Sequence, residues 1–367
     1  MSELVPVDAL LDITDDRAWL RADGYHRSPG DVPLSPGEVR RLHLRRGDHV
    51  TGFADRSKNT AQFQLTAVNG RPPGPRPDFY RRTALHPHDR LRLETDPNVL
   101  TTRVIDLFMP IGKGQRAIIA APPKAGKTTI LQDIATAVTR NHPECHLMVL
   151  LVDERPEEVT DMRRTVKGEV IASTFDRPPA EHTAVAELAT ERAKRLAEQG
   201  EDVVLLLDSL TRLGRAYNMT APPRGRTLTG GLDTSALHPP KHLLGAARTL
   251  EGGGSVTVIA TALVENGSAM DTLIFEELKS TGNAELKLDR ALAEARLFPA
   301  VDVAASGTRH DEALLHPGEL PLITHLRRAM STPDRRGPMT HLLKQLRATP
   351  GNAAYLNKIK SSVSYAQ

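Results

Sequence analysis

A single cysteine, Cys145, and a single tryptophan, Trp19, occur in 367 residues. One thiol cannot build an internal disulfide framework, which excludes the small disulfide-stapled secreted scaffolds and fits a reducing cytoplasm. Aromatic residues make up only 4% of the chain, so any core must be aliphatic. No run of about 18 uncharged apolar residues occurs, which argues against a membrane-spanning helix. Residues 1–16 lack a basic stretch followed by an apolar one, so no secretory signal pattern is visible. Charge of either sign is not in excess: 48 Lys and Arg stand against 45 Asp and Glu, a net charge of +3. That balance tolerates a polyanionic partner without demanding one. Internal repeats and low-complexity tails are also missing. The length allows one large domain plus a smaller one.

What is present divides into three textures. Over residues 1–70 short strands are expected. One pattern alternates through Leu42, Leu44, Val50 and Gly52 around a turn at Gly47-Asp48, and a second runs through Phe63, Leu65 and Ala67. A small, highly charged OB-like β-barrel is the natural reading. Residues 71–99 open on a crowd of prolines and glycines and read as a linker. From residue 100 to 367, continuous aliphatic runs ("AIIAA", "HLMVLLVDE", "DVVLLLDSL", "SVTVIATAL") alternate with helical patterns. Such runs suit parallel strands buried on both faces. Between two of them Val185, Leu188, Ala189, Ala193 and Leu196 recur at helical spacing, with Gly200 as a stop. The expected fold class is α/β: a RecA-like P-loop ATPase domain with helices on both sides of a sheet, preceded by the barrel.

The stretch "IIAAPPKAGKTTILQDIA" ends its loop on Gly126-Lys127-Thr128 but places Ala121 and two prolines where a phosphate loop usually begins with glycine. Such a loop works because backbone N–H groups and a helix N-terminus face an anion. Gly126 lets the chain approach, Lys127 supplies a mobile charge, and the Thr128 hydroxyl can ligate Mg²⁺. The first glycine mainly eases the turn out of the strand, so alanine is tolerable wherever φ stays negative. Two later aliphatic strands end in acids, Asp208 and Asp153-Glu154. Asp208 suits a carboxylate that holds a metal through its water shell, and Glu154 one that deprotonates a water. Each acid could instead cap the helix that follows it.

Taken together, "APPKAGKT", "MVLLVDERPEEVTDMRRTVKGEV", "LLLDSLTRLGRAYN", "LTGGLD", "GAAR", "ATAL" and "LFPAVDVAASGTRHDEALL" resemble the Rho family of bacterial transcription termination factors. The alanine-for-glycine loop is itself that family's form. The resemblance implies a homo-hexameric ring that uses ATP and Mg²⁺ to move along single-stranded RNA and act on RNA polymerase, in the cytoplasm and with no membrane role. It implies that Lys124, Ala125, Gly126, Lys127, Thr128 and Thr129 cradle the triphosphate. Glu154 would activate water, Asp208 and Thr128 would serve the metal, and Arg155 and Arg212 would line the pocket. Phe298 matches the aromatic that packs on adenine, and Arg309 in "SGTR" the arginine finger inserted by a neighbouring subunit.

The family's two RNA sites match less well. Its barrel motif of aspartate, glycines and stacking aromatics corresponds here to Asp15, Asp16, Arg17, Ala18, Trp19, Leu20 and Arg21, with Pro33 and Thr60 or Ala61 where further aromatics stand. Trp19 and Arg21 are the residues left to contact RNA, and Trp19 could equally fill the barrel core. Each lost platform removes about 1–3 kcal/mol of stacking per base. In the pore loops Arg226, Thr229 and Gly230 are kept, whereas Ala269 replaces an RNA-contacting lysine. The chain starts close to the barrel, which implies a shortened form without the family's N-terminal helical bundle. Finally, Ser280 follows Lys279 where the family has glycine, at the edge of the pocket of the inhibitor bicyclomycin, together with Met162 and Ser209. A drug-tolerant copy and neutral drift are both readings of that serine. A second functional class stays open as well: a regulatory subunit that joins the rings of a full-length relative and engages little RNA.

Overall fold

The computed structural model describes residues 4–14, 17–55, 62–222 and 227–364. The barrel strands are β1 (Leu4–Thr14), β2 (Arg17–Arg21), β3 (Val32–Leu34), β4 (His49–Asp55) and β5 (Gln62–Val68), antiparallel in the order β3-β2-β1-β4-β5. Leu11, Leu20, Val50 and Phe63 fill their shared core. The expected alternation through Leu42 and Leu44 does not form a strand. Helix α1 (Pro36–Arg41) occupies the approach to it, opened by a capping box in which Ser35 and Glu38 satisfy each other's backbone N–H. Leu44 is buried all the same, as the chain returns toward β4.

Residues 71–99 form a docked strap rather than a free tether. Phe79 is fully buried and its N–H donates to Glu198 Oε1 at 2.7 Å. Leu91 and Leu93 are fully buried further on. Ion pairs also tie the barrel to the large domain: Arg45 to Glu198 at 2.7 Å and Arg46, itself held by Asp12 of β1, to Glu187 at 2.9 Å.

The large sheet is built from β6 (Arg116–Ala121), β7 (His146–Glu154), β8 (Glu169–Thr174), β9 (Asp202–Asp208), β10 (Ser255–Leu263), β11 (Ala284–Lys287) and β12 (Gly307–Thr308), in the order β8-β7-β9-β10-β6-β11-β12. All neighbouring pairs along this path are parallel except β11 with β12. Period-2 geometry splits each strand between two cores. Ala117, Ile119 and Ala121 face the helices α2 (Lys127–Asn141) and α3 (Pro156–Thr165), while Ile118 and Ala120 face α4 (Pro179–Glu198) and α5 (Leu210–Thr220). Residues 147, 149 and 151 of β7 and 204 and 206 of β9 follow the first face, their neighbours the second. The stripe Val185, Leu188, Ala189, Ala193 and Leu196 is the buried side of α4, and Gly200 beyond it has φ 98°. Among the described residues no helix is long and apolar enough to cross a membrane.

Candidate nucleotide site and nucleic-acid loops

The carboxyl ends of β7, β9, β10 and β6 lie level, with Leu151 paired to Asp208, Leu207 to Ala260 and Thr261 to Ile119. Crevices at such ends are where open α/β sheets bind ligands. Here β6 leads through residues 122–126 into α2. Ala121 pairs with Leu263 as the last strand residue, so its methyl group sits in extended backbone without strain. The left-handed positions lie later, at Lys124 (φ 64°) and Gly126 (φ 95°). A Cβ on Gly126 would stand 3.7 Å from the Phe298 ring, which places that exposed aromatic beside the loop. Lys127, Thr128 and Thr129 form the first turn of α2, whose backbone N–H groups are free to meet an anion.

Four charged side chains converge on this turn. Lys127 Nζ donates to Glu154 Oε1 at 2.9 Å and to Asp208 Oδ1. Arg212, in the first turn of α5, reaches Glu154 Oε2 at 3.3 Å and donates to the Asp153 carbonyl and carboxylate. Glu154 and Asp208 are both buried. Burial, and then the Asp208 carboxylate, push the Glu154 pKa up to about 7 against the pull of Lys127 and Arg212. Burial pulls the Lys127 ammonium the other way, but Asp208 and Glu154 outweigh it and its pKa is raised. The β7–β8 register slips between Val152 and Glu154, and Asp153 takes φ 57°. Glu154 is thereby buried against Lys127, while its half-exposed neighbour holds Arg212.

Several members of this network were not among the residues expected from sequence. Thr261, fully buried on β10, donates its hydroxyl to Asp208 at 2.8 Å. Behind Asp153 lies His182, whose Nε2 is 3.9 Å from the carboxylate and whose Nδ1 meets Ser173 Oγ at 2.7 Å. Burial lowers the His182 pKa, so the ring is neutral at pH 7. For Thr261 the available signal was a hydroxyl inside a mostly apolar run.

One expected pocket residue falls elsewhere. Arg155 is the exposed N-cap residue of α3, outside the cluster. Arg309 lies at the other end of the sheet. Its N–H donates to the Asn283 carbonyl at 2.8 Å, and the Asn283 N–H to that of Arg116 at 2.9 Å. Arg116 opens β6, five residues before Ala121, or about 16 Å at ~3.3 Å per residue. Arg309 therefore cannot serve the phosphate loop of its own chain.

Lys279 and Ser280 line a cleft with Arg309. Met162 is buried in the core beneath α3, and Ser209 is fully buried as the N-cap of α5, accepting the Arg212 N–H at 3.3 Å. Neither lines that cleft, so the four expected inhibitor-pocket residues are not brought together. The Ser280 hydroxyl donates to the Glu277 carbonyl at 3.2 Å within its own turn.

On the barrel, Trp19 is half-buried and paired with Asp12 and Pro33. Its neighbours Ala18 and Leu20 enter the core, which puts Trp19 on the opposite face and leaves it open to stacking. Arg21 is corrected by the structure. Its side chain is 3% exposed and bonded to Asp12 and to Asp31, the latter at 2.5 Å, so it is committed to the barrel and not to RNA. Arg21→Ala leaves the buried Asp31 carboxylate without its cation and Asp12 with Arg46 alone, and about 3–5 kcal/mol of barrel stability is expected to be lost. Urea unfolding followed by Trp19 fluorescence measures this, and an unchanged midpoint would refute it.

Arg226 lies outside the described residues, as do Asp15, Asp16, Thr60 and Ala61. The two segments expected to form pore loops nevertheless meet. Gly230, with φ 81°, packs so closely on helix α6 (Ala269–Lys279) that a Cβ would lie 2.8 Å from the Met270 nitrogen. Thr229 opens the same turn, and Ala269 is exposed as the first residue of α6.

Residues 7–74 match the Rho termination factor RNA-binding domain, and residues 101–308 match the ATP synthase alpha/beta family nucleotide-binding domain. Transcription termination factor Rho of Streptosporangium roseum is 56% identical over 360 residues, covering 98% of this chain and 93% of its own length. The chain belongs to the Rho family of transcription termination factors. Rho of Aquifex aeolicus is 50% identical over 98% of this chain and 86% of its own. Rho of Mycobacterium tuberculosis is 59% identical over 97% of the chain, which spans only 62% of that relative's length. The fold extends beyond Rho: an ATPase from the type III secretion system of pathogenic bacteria superposes with a TM-score of 0.63 at 23% identity, over 83% of this chain and 93% of its own.

Proposed function

We propose that this chain is an ATP-hydrolysing subunit of a six-membered Rho-type ring that translocates along single-stranded RNA and promotes transcription termination by acting on RNA polymerase. Residues 1–70 would serve as the RNA-binding barrel, 71–99 as its strap and 100–367 as the ATPase domain. The observation that carries the reading is the convergence of Lys127, Glu154, Asp208 and Arg212 at the level ends of neighbouring strands, with Arg309 at the far end.

The chemistry follows from those positions. The first turn of α2 with Lys124 and Ala125 to Thr129 would hold the phosphates, and Phe298 beside Gly126 would cover the base. A triphosphate would compete with Glu154 and Asp208 for the Lys127 ammonium. Released carboxylates could then act separately: Glu154 takes the proton of the attacking water, while Asp208, oriented by Thr261, presents oxygen to the metal side. The donor set fits Mg²⁺, since the Asp208 carboxylate and Thr128 hydroxyl are hard oxygen ligands. Mg²⁺ would supply charge neutralisation on the phosphates. Arg212 steadies Glu154, and Arg309 of an adjacent subunit would meet the developing charge.

ATP hydrolysis by the purified chain with and without cytidine-rich RNA tests the proposal, with Lys127→Ala as the blank. RNA-stimulated turnover is expected. A regulatory subunit that modifies the ring of a longer relative is the second reading, favoured by the withdrawal of Arg21 into an ion-pair cluster and by the uncharged Ala269. Turnover indifferent to RNA would put that reading first.

A further inference from the structure

The P-loop helix α2 has a second end, and the chain's lone cysteine is found there beside a histidine and a glutamate. Helix α2 stops at Asn141, and the next four residues are His142, Pro143, Glu144 and Cys145. The Cys145 N–H donates to the His142 carbonyl at 2.9 Å, folding the turn back on itself. One ligand atom each from His142, Glu144 and Cys145 thereby lie within 4.8 Å of one another. His142 Nδ1 is 3.3 Å from Glu144 Oε1, and Cys145 Sγ is 3.9 Å from the same oxygen. Around a tetrahedral zinc with bonds of 2.0–2.3 Å, neighbouring ligand atoms stand about 3.3–3.8 Å apart. The three atoms are within roughly an ångström of that spacing.

Two further features point to a cation. His142 Nε2 meets the Arg92 carbonyl at 3.2 Å. The Arg92 carbonyl and the Glu144 carboxylate can each only accept, so both ring nitrogens face acceptors, and a metal cation on Nδ1 would leave the Nε2–H to the carbonyl. This is the outer-shell arrangement that fixes the tautomer of metal-binding histidines. The turn also sits at the carboxyl end of α2, where the helix dipole favours positive charge. Lys113 opposes a second cation, since its ammonium is 3.3 Å from Glu144. It is also held by Asp202 at 2.8 Å and Asp89 at 3.2 Å. Those two can keep it when Glu144 turns to a metal, and three carboxylates against one ammonium leave the neighbourhood acidic.

We propose that His142, Glu144 and Cys145 form a binding site for a thiolate-accepting divalent metal, Zn²⁺ by donor chemistry, with a fourth position open to water. Binding replaces the thiol proton, which leaves to solvent, and moves Lys113 off Glu144. The site lies about 22 Å along α2 from Lys127, at 1.5 Å per residue over its 15 residues. It is therefore separate from any metal at the phosphates.

Co²⁺ titration of the full chain, stripped of metal beforehand, gives a specific readout. With only Cys145 available, a near-ultraviolet thiolate-to-cobalt absorption band can arise at this site alone, and oxygen-bound Co²⁺ at the nucleotide site stays silent there. The band is expected to saturate at one metal per chain, to be bleached by Zn²⁺, and to vanish in Cys145→Ser. His142→Gln and Glu144→Gln should each weaken it at least ~10-fold in Co²⁺ affinity, with the fold of each variant checked by circular dichroism. Zn²⁺ should also slow alkylation of Cys145. No band at saturating Co²⁺, or one that His142→Gln and Glu144→Gln leave at full affinity, overturns the proposal.

Discussion

Glu154→Gln is expected to lower ATP turnover by about 10²–10⁴-fold, the usual contribution of a general base, with nucleotide binding retained. The amide keeps an oxygen for Lys127 but cannot accept a proton. The pH dependence carries the same assignment. A base must be unprotonated to act, and the Glu154 pKa stands near 7. Activity in kcat/KM, which reports the free enzyme, should therefore fall as pH drops below about 7, approaching about tenfold per pH unit. In the Gln variant this acidic limb should disappear. A wild-type profile flat from pH 8 to 5.5 would assign the base elsewhere.

Arg309→Ala should cost about 10³-fold or more, the range for arginine fingers, and its recovery distinguishes where the arginine acts. Arg309 and Lys127 occupy opposite ends of the sheet, so under the proposed function a complete site would need two chains in head-to-tail contact. Mixing the inactive Arg309→Ala and Lys127→Ala variants creates some interfaces in which an intact Lys127 faces an intact Arg309. Turnover should reappear on mixing, in proportion to those interfaces. Mixtures as inert as their parents, once shown to co-assemble, would count against action in trans.

The parts of this molecule that were legible in the sequence are those governed by short-range rules. The β6–loop–α2 unit is a buried strand running into a helix start, and the α4 stripe is a periodic apolar face closed by a left-handed glycine. Long-range partners decided the rest. Arg21 looked available because Asp31, ten residues away, cannot be assigned to it from spacing, and burial between two carboxylates removed it from the surface. Leu42 and Leu44 alternate as a strand would, yet the Ser35–Glu38 capping box nearby starts a helix whose end absorbs Leu42. Thr261 was hidden in an apolar run, because only the alignment of β9 with β10 brings its hydroxyl to Asp208. Met162 and Ser209 could be matched to a motif, but packing buried them away from Ser280.

The backbone of the phosphate loop has a consequence for how such sites are searched for. Its glycine-favouring dihedrals occur at residues 124 and 126, whereas residue 121 is ordinary strand. A pattern anchored on a first glycine tests a position where this geometry imposes no demand. One anchored on the two left-handed residues and the lysine that follows would admit alanine there, and would recover ATPases that the older spelling discards.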